Sequence, residues 1–341
     1  MLEVDGSYGE GGGQVVRTAV ALAAITGQGV CLDHVRLKRD RPGLAPQHLA
    51  AVRAVASLCD ARCEGLELRS RAFTFLPGRL HGGDFRFDVG TAGSITLVLQ
   101  ALLPVLMRAP GPSRVVVSGG TDVRAAPPLD YLRYVLLGLL ALMGAGVQCR
   151  ALRRGYYPRG GGEVEVSVEP ARLTPLEADD PGRPVSVEGC AHVANLPVSI
   201  AERMRDAAAA RLGGSVAATG FEVAALDSTE AVGRGGAVVC WARTQRAVLG
   251  AGRVAERGVR AEALGEAAGA ELAADLAARV SLDVHAADQI LVYLALAGGC
   301  FTTRTISSHA RTTMWLIERF APVRFEVADM PGAARVCARA R

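Results

Sequence analysis

Asp5-Gly6-Ser7-Tyr8-Gly9-Glu10-Gly11-Gly12-Gly13-Gln14-Val15-Val16-Arg17 crowds Gly9, Gly11, Gly12 and Gly13 around the Glu10 carboxylate, directly before an apolar helical pattern. Glycine tolerates positive φ and lets a ligand approach the backbone. A helix N-terminus with free N–H groups favours anions. With Glu10 and Arg17 at the same corner, the segment reads as a holder for a metal–phosphate group. It lacks the Gly-Lys-Ser/Thr of a Walker A loop and the G-x-G-x-x-G spacing of a dinucleotide fold.

The chain of 341 residues, half of them hydrophobic, is long enough for one large domain or two. No apolar run reaches the roughly 18 residues of a membrane span, and the start has no signal-peptide pattern. The expectation is a cytoplasmic protein that does not use a membrane. Its eight cysteines are scattered, which fits reduced thiols. Cys59 and Cys63 have no second pair nearby to complete a zinc site. The net charge of +4 permits a phosphate or nucleic-acid partner without demanding one. Lys38 is the sole lysine, and its setting Leu37-Lys38-Arg39-Asp40 is not that of a lysyl-adenylate ligase. Lysine covalent catalysis is therefore disfavoured.

Short strands, glycine turns and apolar helices recur along the chain. Strands are expected at Val30–Leu37, Leu66–Leu76, Asp84–Val89, Arg114–Ser118, Val147–Leu152 and Glu163–Val168. Helices are expected at Gln47–Cys59, Ile95–Met107 and from Pro127 to about Met143. These form similar α+β units of roughly 70–80 residues, a weak internal repeat. Leu173–Arg183 reads as a linker. Beyond it, strands near Val185–Val193, Val216–Val223 and Ala237–Arg243, a helix near Ser199–Leu212 and an alanine-rich helix from Gly258 to about Arg279 suggest a smaller inserted domain. The first pattern returns with strand Phe301–Thr305, helix Thr312–Phe320 and a strand pair from Val323.

Among six histidines, His309 stands apart in Ile306-Ser307-Ser308-His309-Ala310-Arg311-Thr312-Thr313, between a strand and a helix. Neutral imidazole carries a lone pair and is a competent phosphorus nucleophile. Asp288-Gln289 reads equally as a helix cap and as a polar pair aimed at a nucleotide. Arg36, Arg39 and Arg41 around Lys38 read as a solvated face or a phosphate clamp. Gln100, inside an apolar helix, needs a partner in the core or in a ligand.

Taken together, these residues resemble the RNA 3′-terminal phosphate cyclases. The matching motifs are Asp5-Gly6…Gly9-Glu10-Gly11-Gly12-Gly13-Gln14…Arg17, Arg39…Pro42-Gly43-Leu44…Gln47-His48-Leu49 and Gly90…Ala92-Gly93-Ser94…Leu97-Val98-Leu99-Gln100. Ser118-Gly119-Gly120-Thr121-Asp122…Pro127-Pro128, Gly155…Tyr157-Pro158…Gly160-Gly161-Gly162, Ala287-Asp288-Gln289 and Ser308-His309 complete the set. The resemblance implies an α+β fold, a large domain of repeated βαβαββ units (initiation-factor C-terminal-domain-like) with a smaller inserted α/β domain. The limits that follow are 1–183 plus 276–341 for the large domain and 184–275 for the insert.

The implied reaction is ATP-dependent conversion of an RNA 3′-terminal phosphate to a 2′,3′-cyclic phosphate, through a covalent histidine–AMP on His309 and an adenylylated RNA end. ATP and Mg²⁺ (or Mn²⁺) are the implied cofactors, RNA the partner, and a homodimer is compatible with it. Glu10 matches the metal contact. Arg17, Arg39 and Gln47 match the phosphate site, and Gln100, Pro127, Asp288 and Gln289 the nucleoside pocket. The family commonly places a base-stacking tyrosine where this chain has His285, which offers less stacking area. Two alternatives are a non-catalytic cyclase-like ribosome-assembly factor, whose kind lacks the nucleophilic histidine, and an enolpyruvyl transferase, which leaves His309 unexplained.

Overall fold

The computed structural model describes residues 1–213 and 218–340. The first sheet begins with β1 (Leu2–Asp5), which leads through the glycine-rich segment into α1 (Gly13–Thr26). Gly27, at φ 72°, ends that helix in the left-handed conformation that suits glycine. β2 (Val30–Asp33), α2 (Pro46–Leu58), β3 (Arg62–Glu64) and β4 (Phe73–Leu76) complete a sheet of order β1-β2-β4-β3. β2 is shorter than the expected Val30–Leu37 because His34 and Arg36 turn to φ 51° and 53°, which no strand accommodates.

The second sheet contains β5 (Gly83–Asp88), α3 (Ile95–Leu106), β6 (Ser113–Gly119), α4 (Leu129–Tyr131), a π-helical turn (Leu132–Leu136), α5 (Leu137–Leu142), β7 (Val147–Gly155) and β8 (Gly162–Val168). In β8 Val164, Val166 and Val168 are buried and the residues between them less so, the period-two pattern of a half-buried strand. β5-β6-β8-β7 has the same strand order as the first sheet. In both, the first pairing is parallel and the other two are antiparallel. The segment expected as a linker holds a strand, β9 (Leu176–Ala178).

β10 (Pro184–Ala194), α6 (Val198–Leu212), β11 (Ala218–Leu226), β12 (Ala231–Val232), β13 (Gly235–Thr244), β14 (Val248–Val254) and α7 (Ala261–Ala277) follow. The start of the strand expected at Val216 lies outside the described residues. Four of these strands form a sheet of order β11-β10-β13-β14, while β12 pairs with β7 at the edge of the second sheet. α6 and α7 cover one face over a core of Val187, Val193, Met204, Ala208, Leu249 and Leu272. The other face joins the main core: Trp241 stacks on Tyr134 of the π-helical turn, with centroids 4.2 Å apart.

α8 (Val284–Ala297), β15 (Gly299–Thr303), α9 (Ser308–Phe320), β16 (Val323–Met330) and β17 (Ala333–Ala340) end the chain. β9 pairs parallel with β15, giving a sheet of order β9-β15-β17-β16. Cys300 and Cys337 face each other across β15 and β17 and are joined as a disulfide, where reduced thiols were expected. A sequence separation of 37 hides that proximity from the sequence. Helices α1, α2, α3, α8 and α9 pack on one another around fully buried Leu22, Leu99, Leu102, Ile290 and Ile317. Each such side chain contributes about 1.5–3 kcal/mol by leaving water. Among the described residues, no helix is long and apolar enough to cross a membrane.

A buried charge network joins the second sheet to β10. Arg154 pairs with both oxygens of Asp130 at 2.7 Å and with Asp122 at 3.1 Å. His192 lies 3.5 Å from each carboxylate.

Candidate active site

The glycine-rich segment folds as two consecutive turns, closed by Tyr8 N–H to the Asp5 carbonyl (3.1 Å) and Gly11 N–H to the Tyr8 carbonyl (3.0 Å). Gly9, at φ +60°, backs onto Thr312 so closely that a Cβ would overlap its hydroxyl. Gly13 does the same against the His48 ring. The two contacts press the turn between α9 and α2 and leave Glu10 projecting beside α9.

His309 lies in the first turn of α9, which starts at Ser308 rather than at Thr312. Ser307 caps that helix by accepting from Ala310 N–H (2.9 Å), and its own hydroxyl donates to Asp288 Oδ1 (2.5 Å). Asp288 therefore ties α8 to α9. It is not the helix cap, a place taken by Asp283, which accepts from the N–H groups of His285 and Ala286. Glu10 Oε2 lies 3.1 Å from His309 Nε2 and 3.5 Å from an Arg39 nitrogen, and Ser308 donates to Glu10 Oε1. The Ser308 hydrogen bond, with the His309 and Arg39 charges, holds the Glu10 carboxyl below the usual carboxylate range.

Deeper in, Arg17 is buried, and among the described residues it has no ion-pair or hydrogen-bond partner. Burial pushes its pKa down to about 10. His48 lies next to it. Burial, then the Arg17 and Arg36 charges, pushes the imidazole down to about 3, so it is neutral. Its Nδ1 accepts from Ala45 N–H (3.2 Å), which leaves the proton on Nε2. Burial raises Asp288 to about 6 against the Ser307 hydrogen bond. The Gln289 amide donates to the His285 carbonyl (3.1 Å), while its buried Oε1 has no partner among the described residues. Gln47 Oε1 accepts from Ser94 N–H at 3.4 Å.

All ten residues singled out from the sequence line one cavity of about 670 Å³: Glu10, Arg17, Arg39, Gln47, Gln100, Pro127, His285, Asp288, Gln289 and His309. His285 is half exposed, meets Tyr131 edge-on (centroids 6.3 Å apart) and has Nε2 3.9 Å from Glu271 Oε1. Other walls were not assigned from the sequence. Gln14 and His48 sat within recognised motifs without a role. Arg124, Tyr131, Gly252, Arg253, Glu256 and Leu264 carried no local signal. Arg253 reaches the cavity from β14 and is held by Glu271 at 2.5 Å.

Among the described residues there is no group of three His, Cys, Asp or Glu side chains arranged for a metal. Glu10, an ionised carboxylate beside His309, is an oxygen donor of the kind that suits a magnesium ion completing its shell with phosphate oxygens and water. Arg17 and the orphaned Gln289 oxygen are the deep groups that await an anion and a hydrogen-bond donor.

A family model described as RNA 3′-terminal phosphate cyclase matches residues 8–327. A protein of that name from Nitrosospira multiformis is 54% identical, covering 99% of this chain and 97% of that protein. Others of that name from Pyrobaculum neutrophilum (44% identical; 96% and 94% covered) and Methanopyrus kandleri (42%; 97% and 96%) are also similar. A solved enolpyruvyl transferase, NikO from Streptomyces tendae, aligns with 99% of this chain and 48% of its own at 13% identity. Its TM-score is 0.39, too low a likeness to carry weight.

Proposed function

The chain belongs to the RNA 3′-terminal phosphate cyclase family, and from that premise we propose that it converts RNA 3′-phosphate ends to 2′,3′-cyclic phosphates at the expense of ATP. One observation carries the reading. His309 meets an ionised Glu10 in a cavity whose buried cation, Arg17, has no partner among the described residues. A buried unpaired charge is costly and calls for a counter-ion; nucleotide phosphates supply it.

His309 attacks the α-phosphorus of ATP through a ring nitrogen lone pair, forming an N–P bond and releasing pyrophosphate. AMP then passes from His309 to an oxygen of the RNA 3′-phosphate. The adjacent 2′-OH attacks that phosphorus, loses its proton and expels AMP. Each step is a displacement at phosphorus, in which positioning and charge neutralisation dominate.

Glu10 would hold Mg²⁺ (or Mn²⁺), which supplies charge neutralisation on the transferring phosphoryl group. The 3.1 Å Glu10–His309 contact supports this reading by keeping the imidazole beside the carboxylate that would hold the ion. Ser307, held by Asp288, fixes the start of α9 and with it the imidazole. Arg17 and Arg39 take phosphate oxygens. Pro127 and His285 flank the base, and the Gln289 oxygen accepts from it. In this reading the three similar sheets are repeats of one βαβαββ unit, with residues 184–275 as an insert.

Incubation with α-labelled ATP and a divalent cation tests the chemistry. The expected product is an acid-labile, alkali-stable protein–AMP adduct that is absent in His309→Ala and is discharged by RNA bearing a 3′-phosphate. Turnover of RNA by wild-type protein that never forms the adduct overturns the covalent route.

A further inference from the structure

Tyr8 stands two residues before Glu10, on the outer side of the glycine turn, and is 42% exposed. One face of its ring lies on Trp315 of α9, with centroids 3.7 Å and planes 12° apart. Tyr8 therefore keeps this exposure although one face of its ring is covered by Trp315. The Arg319 guanidinium lies 5.2 Å from the Trp315 centroid and donates to the Glu3 carbonyl at 2.8 Å.

Arg311, Trp315 and Arg319 recur every fourth residue and so share one stripe of α9. Ser308, which donates to Glu10, starts the same face. From Ser308 to Arg319 a helix rises about 16 Å, so the stripe leads outward from the Glu10–His309 contact. Arg311 and Arg319 are exposed, and among the described residues neither has a carboxylate partner. Lys38 is also exposed; its Nζ donates to the Gly9 carbonyl (3.0 Å), which puts a third cation beside the turn. Glu318, the neighbour of Arg319 on α9, accepts from Phe325 N–H at 2.8 Å. An aromatic pair that only fastened the turn to the helix would need neither an exposed tyrosine nor cations without carboxylate partners in register with it.

Single-stranded nucleic acid binds where stacking rings alternate with cations along a backbone track. On the reading that this cavity adenylylates RNA ends, we propose that Tyr8 is the stacking platform for a base at the 3′ end of single-stranded RNA, with Lys38 and Arg311 on its backbone phosphates. The Tyr8–Trp315 stack stiffens that platform, and its position beside the turn delivers the terminal phosphate to Glu10 and His309. Stacking accepts any base, so the platform selects an unpaired end rather than a sequence.

The test is equilibrium binding to full-length protein, without ATP, of a short 5′-fluorescent oligoribonucleotide ending in a 3′-phosphate. The same oligonucleotide lacking bases at its 3′ end is the second probe. Tyr8→Ala weakens binding of the intact RNA by roughly 5- to 150-fold, the range of one base–aromatic stack. Removing the bases weakens binding to wild-type protein similarly, and the two losses do not add. Tyr8→Phe keeps the affinity. Arg311→Ala lowers the slope of log affinity against log salt by about 0.7. Unchanged affinity in Tyr8→Ala, or an equal loss on intact and base-free RNA, overturns the platform. This assay involves no adenylylation, so failure of the histidine–AMP chemistry is read separately in the labelled-ATP experiment.

Discussion

Oε2 of Glu10 lies 3.1 Å from Nε2 of His309, while the other oxygen of the same carboxylate is held by Ser308, the residue before the imidazole. A glycine turn near one end of the chain and a helix start near the other thus share one charge. Glu10→Gln keeps the shape and removes the charge. Adduct formation from labelled ATP is expected to fall by roughly 10²- to 10³-fold, the magnitude of losing one group that stabilises developing charge. Circular dichroism and the melting temperature should stay near wild type. An unchanged cation-dependent rate would remove Glu10 from the metal site.

Arg17 is a buried cation without a partner among the described residues. Replacing it by an apolar chain of similar length removes a desolvation cost, so Arg17→Met is expected to be more stable than wild type by about 1–3 kcal/mol. The same change should abolish the thermal stabilisation that ATP or pyrophosphate gives the wild type. Urea unfolding and ligand-dependent melting measure both. A destabilised variant would mean that Arg17 already has its counter-charge.

Asp288 holds its proton more tightly in the folded state, near pH 6, than the roughly 3.9 of an unfolded aspartate. The stability this adds is complete below about pH 4 and is lost as pH rises through about 6. Asp288→Asn mimics the protonated form, and its amide oxygen still accepts from Ser307. The variant should gain about 1–3 kcal/mol at neutral pH and show a flatter stability profile between about pH 4 and 6. Urea melts across that range decide it; an unchanged profile refutes the assignment.

The Asp122–Arg154–Asp130 network predicts the opposite response to a loss of charge. Burial pushes the Asp122 carboxyl up, and the Arg154 and His192 charges overcome it and hold it well below the usual range. Arg154→Met leaves two buried carboxylates uncompensated and should cost about 3–5 kcal/mol. Adding Asp122→Asn and Asp130→Asn should restore much of that loss. A neutral single variant by chemical denaturation would mean that water already screens the site.

Local rules made much of this chain legible. Glycine next to a helical pattern marked the turn around Glu10, and period-two or period-3.6 apolar spacing marked most strands and helices, including the one that carries Gln100. The errors sit where a tertiary contact overrode the local signal. β2 stops early because Arg36 turns back to donate to the Arg41 and Gly43 carbonyls (3.1 and 2.8 Å). α9 starts early because Ser307 caps it while bonded to Asp288. β9 exists because β15 is there to pair with it.

The sequence by itself determined the α+β character, the family, and the identity of ten residues that line one cavity. Those are matters of residue type and short-range order, which survive in a linear string. Tertiary structure alone decided that Arg17 is buried without a partner among the described residues, that Asp288 is a tie between two helices rather than a cap, and that Cys300 faces Cys337. It also decided that Arg253 closes the cavity from β14 and that Tyr8 lies on Trp315. Burial, pairing and charge state depend on what surrounds a side chain, and here the surroundings come from residues far away along the chain.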